Sequence, residues 1–398
     1  MLRGRSKPRI IIFILFFLFA MSKAGVNASE QKKKAIENMF EVNLGVKRGE
    51  RVLVFTDDHK EEITEEAKFV AKVGASFGEV IFFKYSSTGR PGIEPPKGLW
   101  EKVFGKNIVK QIEEKKLMKK ILDKKITEDE LETVREIVRA NKQDVVNVVI
   151  GLAWFSTSHT NFRKLLTEVA GSRFASMPGF DPRMWETAMS ANWEEVDRRT
   201  LYLKERLAGA ISARVRTPNG TDISFDLRDR EFKANIGLLN QPGRSGNLPA
   251  GEVYIAPLEG RSSGKLVVEP GINPWAKEQL ILEIKDGKVF RMEGDSRFIN
   301  RLEEIFSKHP LARNIAEFGI GTNDKAKAGT TLLELEKVLG TIHVAIGDNS
   351  TFGGKVSVPL HIDFVFENPT VDFNFLRWKN FAINGGRKNV RALIPIGV

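Results

Sequence analysis

The chain has no cysteine among its 398 residues, only five histidines and only three tyrosines. Without cysteine there are no disulfides, no thiolate nucleophile and no cysteine-ligated zinc or iron–sulfur site, so any metal must be held by His, Asp or Glu. There is also no apolar run of 18 or more residues, which excludes a bundle of spanning helices. Walker and dinucleotide-type phosphate loops are absent, which argues against a nucleotide enzyme. Ser156, Ser158 and His159 in "FSTSHTNFR" stand in no Gly-x-Ser-x-Gly elbow and do not make a serine-hydrolase set.

What is present is a globular composition, 41% hydrophobic and 28% charged, long enough for two domains. The net charge of +11 is concentrated at one end. Arg3, Arg5, Lys7, Arg9, Lys23, Lys32, Lys33 and Lys34 against Glu30 leave only +4 for the rest, so nucleic acid is not an expected partner. The lysine-rich stretch from Lys110 alternates with acids and carries Ile108, Ile112 and Leu122 at helical spacing, which reads as a solvated helix. Thr127 and Glu130 form a capping box for a further helix. The first residues have the layout of an export signal: basic groups, twelve apolar residues from Ile10 to Met21, then small residues to Ala28. Export is favoured over a cytoplasmic protein starting at Met21.

Residues 1–33 are thus set apart as a signal-like or extended segment, and the pattern changes again near residue 205. Over 34–204, apolar runs at Arg51, Gly78, Asp144 and Ser172 alternate with helical stretches, which predicts an N-terminal α/β domain with a mostly parallel sheet. Over 205–398, hairpin signals such as Asn219-Gly220 predict a β-rich α+β C-terminal domain that carries a metal site.

The metal expectation comes from alternation. In "HIDFVF" from His361, His361 and Asp363 project to one face of a strand while Leu360, Ile362 and Phe364 project to the other. Burying an imidazole beside a carboxylate costs several kcal/mol, roughly, unless the two are paired or bound to a cation. His343, Glu317 and Glu252 sit in the same way in "GTIHVAIGDN", "NIAEFGIG" and "LPAGEVYIAP". Two imidazoles and three carboxylates suit two divalent ions sharing a carboxylate and a water. Zinc, cobalt and manganese, and also iron, accept such donors. His59 and His309 read as exposed loop residues, whereas His159 lies at a possible domain junction.

These segments, with "NLGVKRGERVLVFTDD" and "SMPGFDPRMW", resemble in wording and order the thermophilic metallo-aminopeptidases that include aminopeptidases T and S. The likeness spans about residues 34–374. It implies a homodimer that removes N-terminal residues from peptides through a dinuclear site. Its metal-binding glutamates fall on Glu252 and Glu317, either of which is the candidate acid–base group, and its histidines and aspartate on His343, His361 and Asp363. One departure stands out. A tyrosine proposed to act at the metals in that family is replaced here by Ser350, with Asp348 a possible additional ligand. That departure leaves open a metal- and peptide-binding protein without cleavage, or a hydrolase of a non-peptide amide.

Overall fold

The computed structural model describes residues 29–273, 276–329, 331–375 and 381–384. The export-signal reading, with its alternative start at Met21, falls on residues 1–28 and lies outside the described residues. No described helix is long and apolar enough to cross a membrane.

The first half is built around a parallel sheet of β1 (Arg51–Asp57), β2 (Glu79–Tyr85), β3 (Val148–Gly151) and β4 (Arg173–Ser176). β1, β3 and β4 are buried continuously rather than at alternate residues, as both faces of a parallel sheet are covered; β1 is buried at every residue after Arg51. α1 (Glu61–Gly74) lays Ile63, Ala67 and Val70 against it, with Glu61 and Glu62 in the first turn and Lys72 in the last, as the helix dipole favours. The lysine-rich stretch is two helices, α2 (Lys106–Glu114) and α3 (Met118–Leu122), which bury Ile108, Ile112 and Ile121 and leave their lysines in solvent. α4 (Glu128–Ala140) begins on the Thr127–Glu130 capping box that the sequence announces.

The second half is a sandwich of two antiparallel sheets. The seven-stranded sheet runs in the order β12 (Lys288–Gly294), β11 (Leu280–Lys285), β10 (Ser263–Val268), β6 (Asp222–Asp226), β5 (Ala210–Arg216), β16 (Thr370–Phe375) and β17 (Phe381–Asn384). β5 and β6 form the hairpin expected at Asn219-Gly220, where Gly220 takes a φ of +99° that a side chain would resist. The five-stranded sheet runs β15 (His361–Phe366), β14 (Ile342–Gly347), β13 (Ile315–Gly321), β9 (Glu252–Ile255) and β7 (Lys233–Asn235). Phe318 of this sheet stacks on Phe225 of the other at 4.9 Å between ring centres, in one core that also takes in Val344, Ile346 and Phe364. The architecture is α/β with one parallel and two antiparallel sheets, as the sequence pattern predicts.

The two halves are laced together. β8 (Ser245–Asn247), from beyond residue 205, pairs in parallel with β4 and extends the first sheet to five strands. α5 (Trp193–Leu207) sends Arg199 to the Thr322 carbonyl at 2.6 Å, and Asn323 donates to the Ala188 and Ala250 carbonyls.

Candidate metal centre

One face of the five-stranded sheet fills the core; the other carries the chemistry. Residues directly opposite in a ladder share a face, as do residues two apart along a strand. Glu317 pairs with Ala345, and Ala345 with Asp363; Gly319 pairs with His343 and Tyr254; Gly321 pairs with Glu252; Gly347 pairs with His361. Glu252, Glu317, His343, His361 and Asp363 therefore project to the same side, although they come from four strands. Among them on that face stand Gly319, Gly321, Gly347, Ala345 and Tyr254, with Val365 opposite His343 and Asn235 opposite Glu252, and the small residues leave room. At Gly319 the need is direct, since a Cβ there would lie 2.0 Å from Nε2 of His343.

The five donors form two groups that share Glu317. One is Glu252, Glu317 and His343, the other Glu317, His361 and Asp363, with the donor atoms of each group within 4.8 Å of one another. Nε2 of His343 lies 3.3 Å from Glu317 and 3.4 Å from Glu252. Nε2 of His361 lies 3.4 Å from Glu317 and 3.6 Å from Asp363. All but His361 are buried. Nδ1 of His361 donates to the Asp348 main-chain carbonyl at 2.8 Å, which orients the ring with Nε2 facing the carboxylates.

Electrostatics show that this donor set fits a cation. Burial alone would depress the His343 pKa, but its hydrogen bond with Glu317 and the charges of Glu252 and Glu317 outweigh that and lift it to about 9. Removal from water would lower His361 as well, but the charge and hydrogen bond of Asp363, then those of Glu317, leave it well above its usual value. Glu317, despite burial, is held below the usual carboxylate range by hydrogen bonds to both imidazoles. Carboxylates that favour protons on both imidazoles would be compensated equally by a divalent ion.

Asp348 takes a different part. Its carboxylate accepts hydrogen bonds from Ser350 N and Oγ and from Val358 N, so it organises its own loop, and only its carbonyl reaches the centre. Ser350 is an exposed partner of that carboxylate. The loop is braced by buried Asn349, which donates to Glu259 at 3.0 Å and accepts from Val356 N at 2.9 Å. Asn349→Ala removes this brace without touching a donor. Metal affinity, read by titration, is expected to fall roughly 10- to 100-fold, the usual range for groups that orient ligands.

Three residues at the centre escape the sequence reading. Lys337 is 1% exposed, with Nζ 2.6 Å from Glu252 and a second contact to Glu336. Burial and the charges of Asp363 and Glu252 raise Glu336 to about 8, against the pull of Lys337. In "LELEKVLG" both look like surface charges. Tyr254, whose phenol is raised by burial and by Glu317 and Glu252, sets its ring edge-on to Phe352, which stands edge-on to His361. The i, i+2 relation to Glu252 was the available signal for Tyr254.

His159 does come near. It lines a recess of about 290 Å³ with Glu94, Lys124 and Lys164, where solvent reaches it. The protein packed around it and the charge of His361 lower its pKa, which favours the neutral imidazole. His59 and His309 are exposed, as expected. A Gly-Arg-Ser-Ser-Gly run at 260–264 has the spacing of a nucleophile elbow, but it enters β10 from a turn rather than joining a strand to a helix.

A parallel-sheet α/β half is joined to an antiparallel sandwich, and the imidazoles and carboxylates clustered on one sheet face make a candidate metal centre. The model of the 2,5-dihydroxypyridine 5,6-dioxygenase (NicX) family matches residues 104–374, most of the chain, and the protein belongs to that family. Among solved structures it is similar to the 2,5-dihydroxypyridine dioxygenase of Pseudomonas putida, at 17% identity and a TM-score of 0.63, over 89% of this chain and 96% of that one. It is also similar to AmpT of Thermus thermophilus, at 15% identity and a TM-score of 0.57, over 90% of this chain and 98% of that one. A search of curated protein sequences finds no match.

The family match corrects the functional expectation. Aminopeptidase activity, and with it the hydrolase and peptide-binding alternatives, gives way to an oxygenase, because the family model that matches most of the chain points there. The resemblance to aminopeptidase T remains real as a distant relationship of fold. A shared scaffold does not by itself fix the reaction.

Proposed function

We propose that the protein is a metal-dependent ring-opening dioxygenase acting on a small hydroxylated aromatic heterocycle of the dihydroxypyridine type. The observation that carries this reading is the donor cluster His343, His361, Asp363 and Glu317, set within the region that the dioxygenase family model matches. Two imidazoles and a carboxylate with positions left open are the donor set of non-haem iron(II) oxygenases. Iron is thus preferred to the zinc, cobalt or manganese that hydrolysis would suit, since zinc has no redox chemistry.

When bound, iron(II) supplies the electron exchange that lets dioxygen react with an aromatic ring. The rest falls to the chain. His361 and Asp363 hold the ion, with the His361 ring aimed by the Asp348 carbonyl. His159, neutral near pH 7, accepts on a ring nitrogen the proton of the substrate hydroxyl, which makes the ring electron-rich. Tyr254 and Phe352 present aromatic edges beside the donors, and their bulk keeps water from that side. In 5,6-cleavage the bond between C5 and C6 breaks and each carbon receives one atom of O2, giving a carboxyl and a formamide.

The test is oxygen uptake by metal-stripped protein reloaded anaerobically with iron(II) and then given 2,5-dihydroxypyridine in air-saturated buffer. One O2 consumed per ring lost, followed by the fall of ring absorbance, is the expected result. Iron-loaded protein that takes up no oxygen with this compound or with other dihydroxylated pyridines and benzenes would refute the reading.

A further inference from the structure

The recess beside His159 is built where doubly wound sheets hold ligands. β1 lies between β2 and β3, so the chain turns to one side of it for β2 and to the other for β3, and ligands of such sheets bind at the carboxyl ends of the strands around that reversal. Glu94 follows β2 and His159 follows β3, and the two connections are tied by a hydrogen bond from Gly92 N to the Ser156 carbonyl at 2.8 Å. His159 also lies near enough to the metal donors for the charge of His361 to act on it, so the recess of about 290 Å³ and the centre share this imidazole.

The charges of the recess do not cancel. Arg135 and Glu128 of α4 satisfy each other at 2.6 Å. What remains is the ammonium of Lys124, just past α3, and that of Lys164, at the end of the short helix Asn161–Lys164, against the carboxylate of Glu94. Glu94 is 4% exposed, and its oxygens already accept from Asn161 N at 2.6 Å and Phe162 N at 3.1 Å. Both lysines feel its charge, yet among the described residues neither forms an ion pair with it or with any other acid. With His159 neutral, two positive charges stand against one negative, and one unit of positive charge is left over in the recess.

We propose that Lys124 and Lys164 bind a carboxylate borne by the substrate ring, which makes the substrate a dihydroxypyridine carboxylic acid rather than the ring without an acid group. This deepens the oxygenase reading and rests on its placing of the ring between His159 and the metal donors. A monoanion matches the one unbalanced positive charge, whereas a phosphate would bring nearly two negative charges to a recess that already holds Glu94. The consequence for the reaction is orientation. A small ring with two hydroxyls can enter a site in several ways, and a carboxylate held at the far end selects the one that turns a hydroxyl to His159 and the ring toward the donors. Lys124 and Lys164 are by this account specificity-determining residues, which touch the substrate away from its reacting carbons.

The experiment compares 2,5-dihydroxypyridine with its 3- and 4-carboxylates, which carry the acid on ring carbons that 5,6-cleavage leaves untouched. Binding to the full metal-loaded chain is measured anaerobically by titration calorimetry, without turnover, and oxygen uptake then gives KM and kcat for each compound. The wild-type chain is expected to bind one carboxylate roughly tenfold more tightly than the parent ring, the gain that two partly exposed ion pairs allow, and to lose that preference at high salt. In the Lys124→Gln/Lys164→Gln double variant the ratio of the affinities should fall toward one, through KM rather than kcat; both side chains are exposed, so the variant is expected to fold. Lys110→Gln, at an exposed lysine outside the recess, should keep the wild-type ratio. No preference for either carboxylate in the wild-type chain, or a preference that survives in the double variant, would overturn the proposal. So would nicotinate that binds alongside 2,5-dihydroxypyridine instead of competing with it, since the recess would then be a separate anion site. A carboxylate preference without oxygen uptake would refute the reaction and leave the recess assigned, whereas oxygen uptake without a preference would do the reverse.

Discussion

His361→Ala is expected to leave the fold standing and the protein without its metal. His361 begins β15, at the edge of the five-stranded sheet, and its side chain is 30% exposed, so truncation opens a solvent-filled gap rather than a buried void. What is lost is an imidazole already aimed by the Asp348 carbonyl, together with the partner of Glu317 and Asp363. Removing it leaves two carboxylates close together with one neutralising group fewer. A metal contributes several kcal/mol to such a reaction, and each 1.4 kcal/mol or so is tenfold, so ring opening should fall by roughly three orders of magnitude. Elemental analysis of the purified variant, beside its circular dichroism, checks both halves of the statement. Full metal content in a folded His361→Ala protein would mean that the sheet face is not where the ion binds.

Gly319→Ala is expected to do nearly as much damage with one methyl group. The added carbon would sit 2.0 Å from Nε2 and 2.2 Å from Cε1 of His343, far inside contact distance. His343 lies on β14, flanked by β13 and β15, and is fully buried, so the ring has nowhere to swing without disturbing the sheet. Overpacking of this kind costs about 1–3 kcal/mol. The displaced imidazole should weaken metal binding by about 100-fold, the upper part of the range for misaimed ligands. Chemical denaturation and metal titration measure the two effects separately. Gly271→Ala is the control, since nothing lies within 4 Å of the position its Cβ would take, and it should change neither. Unaltered metal binding in Gly319→Ala would show that His343 is not held where the ladder places it.

Much of this centre is legible in the sequence because strand alternation is a local property. The backbone sends residues two apart to one side whatever their surroundings, so "HIDFVF" already separates His361 and Asp363 from Ile362 and Phe364. Glu317 and His343 can be read in the same manner. The glycines and alanine opposite them, Gly319, Gly321, Gly347 and Ala345, carried a signal that only the ladder makes intelligible: small residues cross-strand from large donors. Lys337 could not be read, because a lysine beside a glutamate in "LELEKVLG" has the pattern of a solvated turn. It becomes a buried charge at the centre only when Glu252, from another strand, closes over it at 2.6 Å.

The motif resemblance illustrates the same division. It pointed to the five side chains that the sheet face gathers and to the relationship of fold, yet it suggested hydrolysis where the family match gives oxygenation. Imidazole and carboxylate donors take hydrolytic and redox metals alike, so wording around the ligands reports the scaffold more faithfully than the reaction.

By itself, then, the sequence determined the alternation of strands and helices, the parallel and antiparallel halves, and the identity of five metal-competent side chains. Each of these follows from local periodicity, turn chemistry or residue type. The tertiary structure alone decided that Asp348 acts through its carbonyl, that β8 crosses to the first sheet, and that an ammonium shares the centre with the donors. Those outcomes depend on hydrogen-bond register and burial between segments far apart in the chain, and no local pattern encodes the partner.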